Sequence, residues 1–170
     1  MANFSKLRTE VIFVPPAIEM NGREVTQKIR SAIASAVSKG VIKGITYVEA
    51  GLRPALNNSM DSQWQWGVGK AGAPSRDIVD TGALKSSLQM KTIHLKTQTR
   101  LEIIYNKPYA KHVYYGACIR PYGNKNAAIV CLPGRPWIMA VLEGTHGQPK
   151  FDYATPINQA IREAWSAEIG

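Results

Sequence analysis

A chain of 170 residues with 45% hydrophobic content has room for one real core and is too short for two large ones, so a single domain over 1–170 is expected. No apolar run approaches the roughly 20 residues that cross a bilayer, and the first residues lack the apolar core and cleavage pattern of a signal peptide. The chain is therefore read as soluble and intracellular at synthesis, with no membrane partner. The net charge of +9 is unevenly spread: between 85 and 135, Lys85, Lys91, Lys96, Arg100, Lys107, Lys111, Arg120, Lys125 and Arg135 face Glu102 alone, leaving +8 there. Such a bias suits phosphate contact, an acidic neighbour, or simply a solvated face.

In chain order, residues 1–22 form an N-terminal arm. Its apolar run Glu10-Val11-Ile12-Phe13-Val14 is closed by Pro15-Pro16, so it is an edge strand or a segment that lies on something else. From Glu24 to about Lys39, Val25, Ile29, Ala32, Ile33, Ala36 and Val37 recur at helical spacing, and Gly40 is placed as a stop. Gly40 and Gly44 argue against one uninterrupted helix through Tyr47; a second helix from about Val48 to Met60 would carry Pro54 as a kink. Residues 57–79 show neither period and read as a long loop. Trp64 and Trp66, two apart, would share a face of an extended backbone, either filling the core or docking on a neighbouring subunit.

Asp77 to Leu88 reads as a helix start. Asp80 or Thr81 caps the first turn, Gly82 follows, and Leu84 and Leu88 share a face. The alternation through Thr92, His94 and Lys96, the run Thr99 to Tyr105 and the turn near Gln98 predict a β-hairpin. Asn106 to Ala117 is a short aromatic segment that Pro108 can begin but not extend backwards as a helix. Gly134-Arg135-Pro136-Trp137 is a turn that delivers a bulky Trp to a core or an interface. Ala127 to Leu132 reads as a third short strand, and Ile138 to Leu142 as a fourth or a brief helix. Tyr153, Ile157, Ala160, Ile161, Ala164 and Trp165 mark a C-terminal helix with Pro156 in its first turn and Glu163 and Glu168 facing water. The expected fold class is α+β: a small antiparallel sheet or hairpin core packed against an N-terminal and a C-terminal helix.

Chemistry is sparse. His94, His112 and His146 stand without a metal-binding spacing, no phosphate loop is present, and Ser86 and Ser87 have no adjacent base. Neither metal, cofactor nor catalytic residue is expected, and the chain is read as a non-enzyme. Cys118 and Cys131 are expected reduced and buried rather than bridged. For nucleic acid there is charge without a reading head, although Tyr105, Tyr109, Tyr114, Tyr115 and Tyr122 interleave with the cations and could stack on bases.

The order Asp80-Thr81-Gly82-Ala83-Leu84, then Tyr109-Ala110 through Tyr114-Tyr115-Gly116, then Arg135-Pro136-Trp137 and a terminal helix resembles the tail-completion and head-to-tail joining proteins of long-tailed double-stranded DNA bacteriophages. The likeness covers roughly residues 76 to 165. Gly144 to Lys150 is a departure, since the family's terminal helix follows its Arg-Pro-aromatic turn more directly. The resemblance implies a structural virion protein of the neck or tail end, made in the host cytoplasm. It also implies a ring, hexameric by analogy, that completes or terminates the tail. Its partners would be other copies of itself, a head connector or stopper protein, the tail tube protein, and genomic DNA passing without sequence-specific binding. The interface or structural residues it suggests are Trp64, Trp66, Asp80, Thr81, Gly82, Leu84, Tyr109, Tyr114, Tyr115, Arg135, Pro136 and Trp137. The competing reading is a stand-alone basic nucleic-acid-binding domain.

Overall fold

The apolar positions Val41, Ile45, Val48, Leu52, Leu56 and Met60 recur every three or four residues, and all six are buried. They form the stripe of one helix, α1 (Gln27–Asp61), which runs without a break through Gly40, Gly44 and Pro54. The expected stop at Gly40 is therefore overturned. A glycine inside a helix costs about 1 kcal/mol and a proline about 3 kcal/mol relative to alanine, and a continuous buried stripe of this length outweighs both. The computed structural model describes residues 6–13, 27–62, 64–65, 75–76, 82–95, 98–120, 126 and 128–169. Trp66, Asp80, Thr81, Lys96, Tyr122 and Lys125 lie outside them.

The fold is α+β. β1 (Leu7–Phe13), β4 (Leu88–His94) and β5 (Thr99–Tyr105) make a three-stranded sheet in the order β1-β5-β4. The N-terminal run is thus an edge strand of the chain's own sheet, with Leu7 fully buried. β5 is the central strand, and Leu101, Ile103 and Tyr105 are all inaccessible to solvent. β4 and β5 are the expected hairpin, with the Leu95 N–H donating to the Gln98 carbonyl at 2.8 Å. Two further two-stranded ribbons pair β2 (Trp64–Gln65) with β3 (Ser75–Arg76), and β6 (Gly116–Ile119) with β7 (Val130–Pro133), both antiparallel. The stretch 57–79 is consequently no plain loop: Asn57 to Asp61 end α1, and β2 and β3 pair within it. The remaining helices are α2 (Ala110–Tyr115), α3 (Trp137–Glu143) and α4 (Ala154–Ile169).

The helix expected from Thr81 is reduced to a turn. Among the described residues of that stretch only Lys85–Ser87 is helical, as one 3-10 turn, and Leu88 then leaves in an extended conformation as the first residue of β4. The hydrogen bond from the Asn106 N–H to the Ser87 carbonyl, 3.2 Å long, ties this turn to the end of β5 and competes directly with helix extension.

The chain divides into two compact units. One comprises Met1–Thr9, Pro54–Gln89 and Ile103–Phe151; the other comprises Glu10–Arg53, Met90–Glu102 and Asp152–Gly170. In the second unit α4 crosses α1 at very close range. Side chains on Gly40 and Gly44 would collide with the backbone of Ile161 and Ile157. Lys43 Nζ donates to Glu163 at 2.7 Å, and Lys39 pairs with Glu168. Both glutamates are exposed, as expected, and reach the lysines of α1 across the surface. Asp152 Oδ1 accepts from the N–H groups of Ala154 and Thr155 at 3.0 and 3.1 Å, which caps the start of α4.

Candidate functional site

The first unit is built round Trp137, which is completely buried. Tyr105 and Tyr114 stand edge-on to its ring at centroid separations of 5.2 and 5.0 Å. This geometry matches the quadrupole preference of aromatic pairs. The Gly-Arg-Pro turn therefore delivers its Trp to a core. Tyr114 also accepts, through its hydroxyl, from the Met139 N–H at 3.3 Å, supplying one of the acceptors that the first turn of α3 lacks. Burial pushes the Tyr114 hydroxyl up to about 12 from its ordinary 10.0.

Gly134 and Gly116 explain how these segments meet. A Cβ on Gly134 would sit 2.8 Å from the Tyr115 carbonyl carbon, and one on Gly116 would sit 2.7 Å from the Gly134 nitrogen. Gly116 also adopts φ +84°, which favours glycine. Two bare backbones thus pass each other, and the Arg135 N–H donates to the carbonyls of Val113 and Tyr114 at 3.1 and 3.0 Å. The Arg135 side chain is itself buried, and desolvation pushes its guanidinium down from the usual arginine range. Pro136 precedes α3 as its N-terminal flanking residue.

The same approach positions β6 against β7 so that Cys118 and Cys131 are cross-strand partners, and they form a disulfide. Both are exposed. The expectation of reduced, buried thiols is overturned on both counts. Two cysteines separated by 13 positions give no sign of bridging until the two glycines bring their strands into register. β6 itself was not foreseen, because Gly116-Ala117 reads as the end of the aromatic segment.

Trp64 belongs to the interior of the chain. It is 5% exposed, its indole N–H donates to the Ser59 carbonyl at 2.7 Å, and His146 lies over it at a centroid distance of 5.3 Å. Gln148 Nε2 donates to Ser62 Oγ at 2.8 Å. The segment Gly144 to Lys150, the departure from the family pattern, is thus what covers Trp64. Leu84 is buried, and Gly82 turns with φ +73° just before the 3-10 turn. The residues that remain outward are Tyr109 and Tyr115, 42% and 70% exposed. His112 is exposed as well.

Structure also subdivides the basic middle segment. Lys85 pairs with Asp61, and Arg100 with Glu10 at 3.2 Å. With Arg135 buried, these three cations serve the fold, while Lys91 and Arg120 are exposed and Lys107 and Lys111 half-buried. Among the described residues no group of three or more His, Cys, Asp or Glu could hold a metal ion. No helix among them is long and apolar enough to cross a membrane. No family model, curated protein or solved structure matches the chain.

Proposed function

We propose that this chain is a structural virion protein of the phage neck or tail end, one copy of a ring that completes or terminates the tail and joins it to the head connector. One observation carries the reading. The described residues of the three short segments fall in one unit, where Leu84 is buried, the Arg135 N–H bonds to the carbonyls of Val113 and Tyr114, and Trp137 stands edge-on to Tyr114, while the terminal helix of the pattern falls in the other unit.

The role is mechanical: to stop tube growth, join tail to head and leave a passage for the genome. A lumen lined with mobile cations would hold a duplex rather than release it. The exposed cations of this segment are assigned to neighbouring proteins or the outer surface, not to the lumen.

Gold-labelled antibody on purified particles tests the reading. Label at the head-to-tail junction is expected, and particles without label beside abundant protein in infected cells would overturn it. Retardation of random-sequence duplex at two salt concentrations addresses the competing class: tight, steeply salt-dependent binding would favour a nucleic-acid-binding domain.

A further inference from the structure

The bridge between Cys118 and Cys131 sits near the far end of the β6–β7 ribbon. Of the cross-strand pairs, Gly116↔Pro133 adjoins α2, Ala117↔Leu132 follows, Cys118↔Cys131 is third and Ile119↔Val130 is last. The two ends are held differently. At the base, Gly116 and Gly134 pass at a range no side chain would allow, and the Arg135 N–H bonds to the carbonyls of Val113 and Tyr114. None of this involves sulfur. Toward the far end the strands are joined by main-chain pairing and by the bridge, and a two-stranded ribbon held by pairing alone is marginal in water. Breaking the bridge therefore loosens the end of the ribbon and leaves its root in place.

Access gives the second half of the argument. Both cysteines are exposed, so an attacking thiolate reaches the bridge without any unfolding. Exposed bridges exchange readily, whereas purely structural ones resist the thiol pool. The chain has two cysteines in all, so opening gives one defined dithiol and closing cannot pair the wrong sulfurs. A chain made in the host cytoplasm meets a medium that keeps such pairs reduced, and a released particle meets one that does not.

We propose that Cys118 and Cys131 form a reversible redox switch, open as a dithiol with a loose ribbon end while the chain is made and assembled, and closed in an oxidising medium. The compartments in this statement rest on the assembly role above; the chemistry of the pair does not. In opening, the thiolate of a small monothiol of the glutathione class attacks one bridge sulfur, the S–S bond breaks, and the other sulfur leaves as a thiolate that takes up a proton. A second monothiol then attacks the mixed disulfide and releases the second protein thiol. Two monothiols are oxidised to one small disulfide, and the bridge gains two electrons and two protons. Closing is the reverse, with the small disulfide as oxidant.

The test equilibrates the isolated full chain with reduced and oxidised glutathione at a cytosolic and at an oxidising ratio. Thiols are trapped by alkylation and counted by mass spectrometry, and amide exchange is measured on each state. The dithiol is expected to exceed the bridge by about tenfold at the cytosolic ratio, and the bridge to predominate at the oxidising one. Reduction in native buffer should run within about tenfold of its rate in denaturing urea, because it needs no unfolding. Exchange should quicken over β6 and β7 with α2 and α3 unchanged, and Cys118→Ser/Cys131→Ser should show the open pattern at both ratios. A bridge that stays closed at the cytosolic ratio, or that opens only as fast as the chain unfolds, would overturn the proposal. So would loss of protection spreading through α2 and α3, which would make the bridge a clamp on the whole unit. The neck reading stands or falls separately, on the particle label.

Discussion

A methyl group on Gly40 would lie 2.5 Å from the Cα of Ile161, closer than any real contact allows. In an exposed helix, Gly→Ala gains about 1 kcal/mol from propensity. Here the obstacle is backbone of α4, which no rotamer change can move aside. Gly40→Ala should therefore be net destabilising by about 1–3 kcal/mol, read as a lower urea midpoint with unchanged slope. A rise in the midpoint would mean that α4 can slide away from α1.

Trp137→Ala removes the ring between Tyr105 and Tyr114. Loss of about 3–5 kcal/mol is expected, with reduced soluble yield. Urea denaturation followed by circular dichroism checks it, and an unchanged midpoint would show that the aromatic cluster closes over the gap.

Tyr114 makes stability depend on alkaline pH. Its folded pKa, about 12, stands above the ordinary value of 10.0 because burial disfavours the phenolate. Between those values the unfolded chain has released the proton and the folded chain has not, so Tyr114's contribution is full below pH 10 and is lost as pH rises toward 12. Tyr114→Phe should flatten the fall in unfolding midpoint across that window relative to the parent chain. Parallel curves would place the alkaline sensitivity elsewhere.

Asp152 works in the opposite direction. Its hydrogen bonds to Thr155 and Ala154 hold its carboxyl below the usual range. The stabilisation it gives is present above its ordinary pKa and is lost as pH falls through the folded value. Asp152→Ala should fray the first turn of α4, seen as faster amide exchange at Ala154 and Thr155, while Asp152→Asn should retain most of the protection.

Reduction of the disulfide acts locally. A loop of this size restricts the unfolded chain by about 3 kcal/mol, but Cys118 and Cys131 sit on an exposed ribbon. Cys118→Ser or a reductant should therefore speed amide exchange over β6 and β7 and leave α1 and α4 protected. Uniform acceleration along the chain would instead make the bridge a global clamp.

What the sequence revealed and concealed follows a physical line. The β4–β5 hairpin, α4 and the Arg-Pro-Trp turn were legible because their signals are local: alternation, helical spacing and a turn followed by an apolar ring. The continuity of α1 was not, because Gly40 and Gly44 read as breakers until Ile157 and Ile161 arrive from the far end of the chain and require their bareness. Leu84 and Leu88 fit a helix face by spacing alone, and the bond from Asn106 to Ser87 decides otherwise. Trp64 carried two readings, and only the return of His146 and Gln148 separates them. Tyr109 and Tyr115 face outward, whereas Tyr114 between them turns inward, and spacing alone does not tell the three apart.

The bond between Cys118 and Cys131 also changes the topology of the polymer. It closes the intervening segment into a covalent ring, so a protease that nicks the chain once within that ring releases nothing. The two pieces remain one molecule on a non-reducing gel and separate only when the sulfurs do.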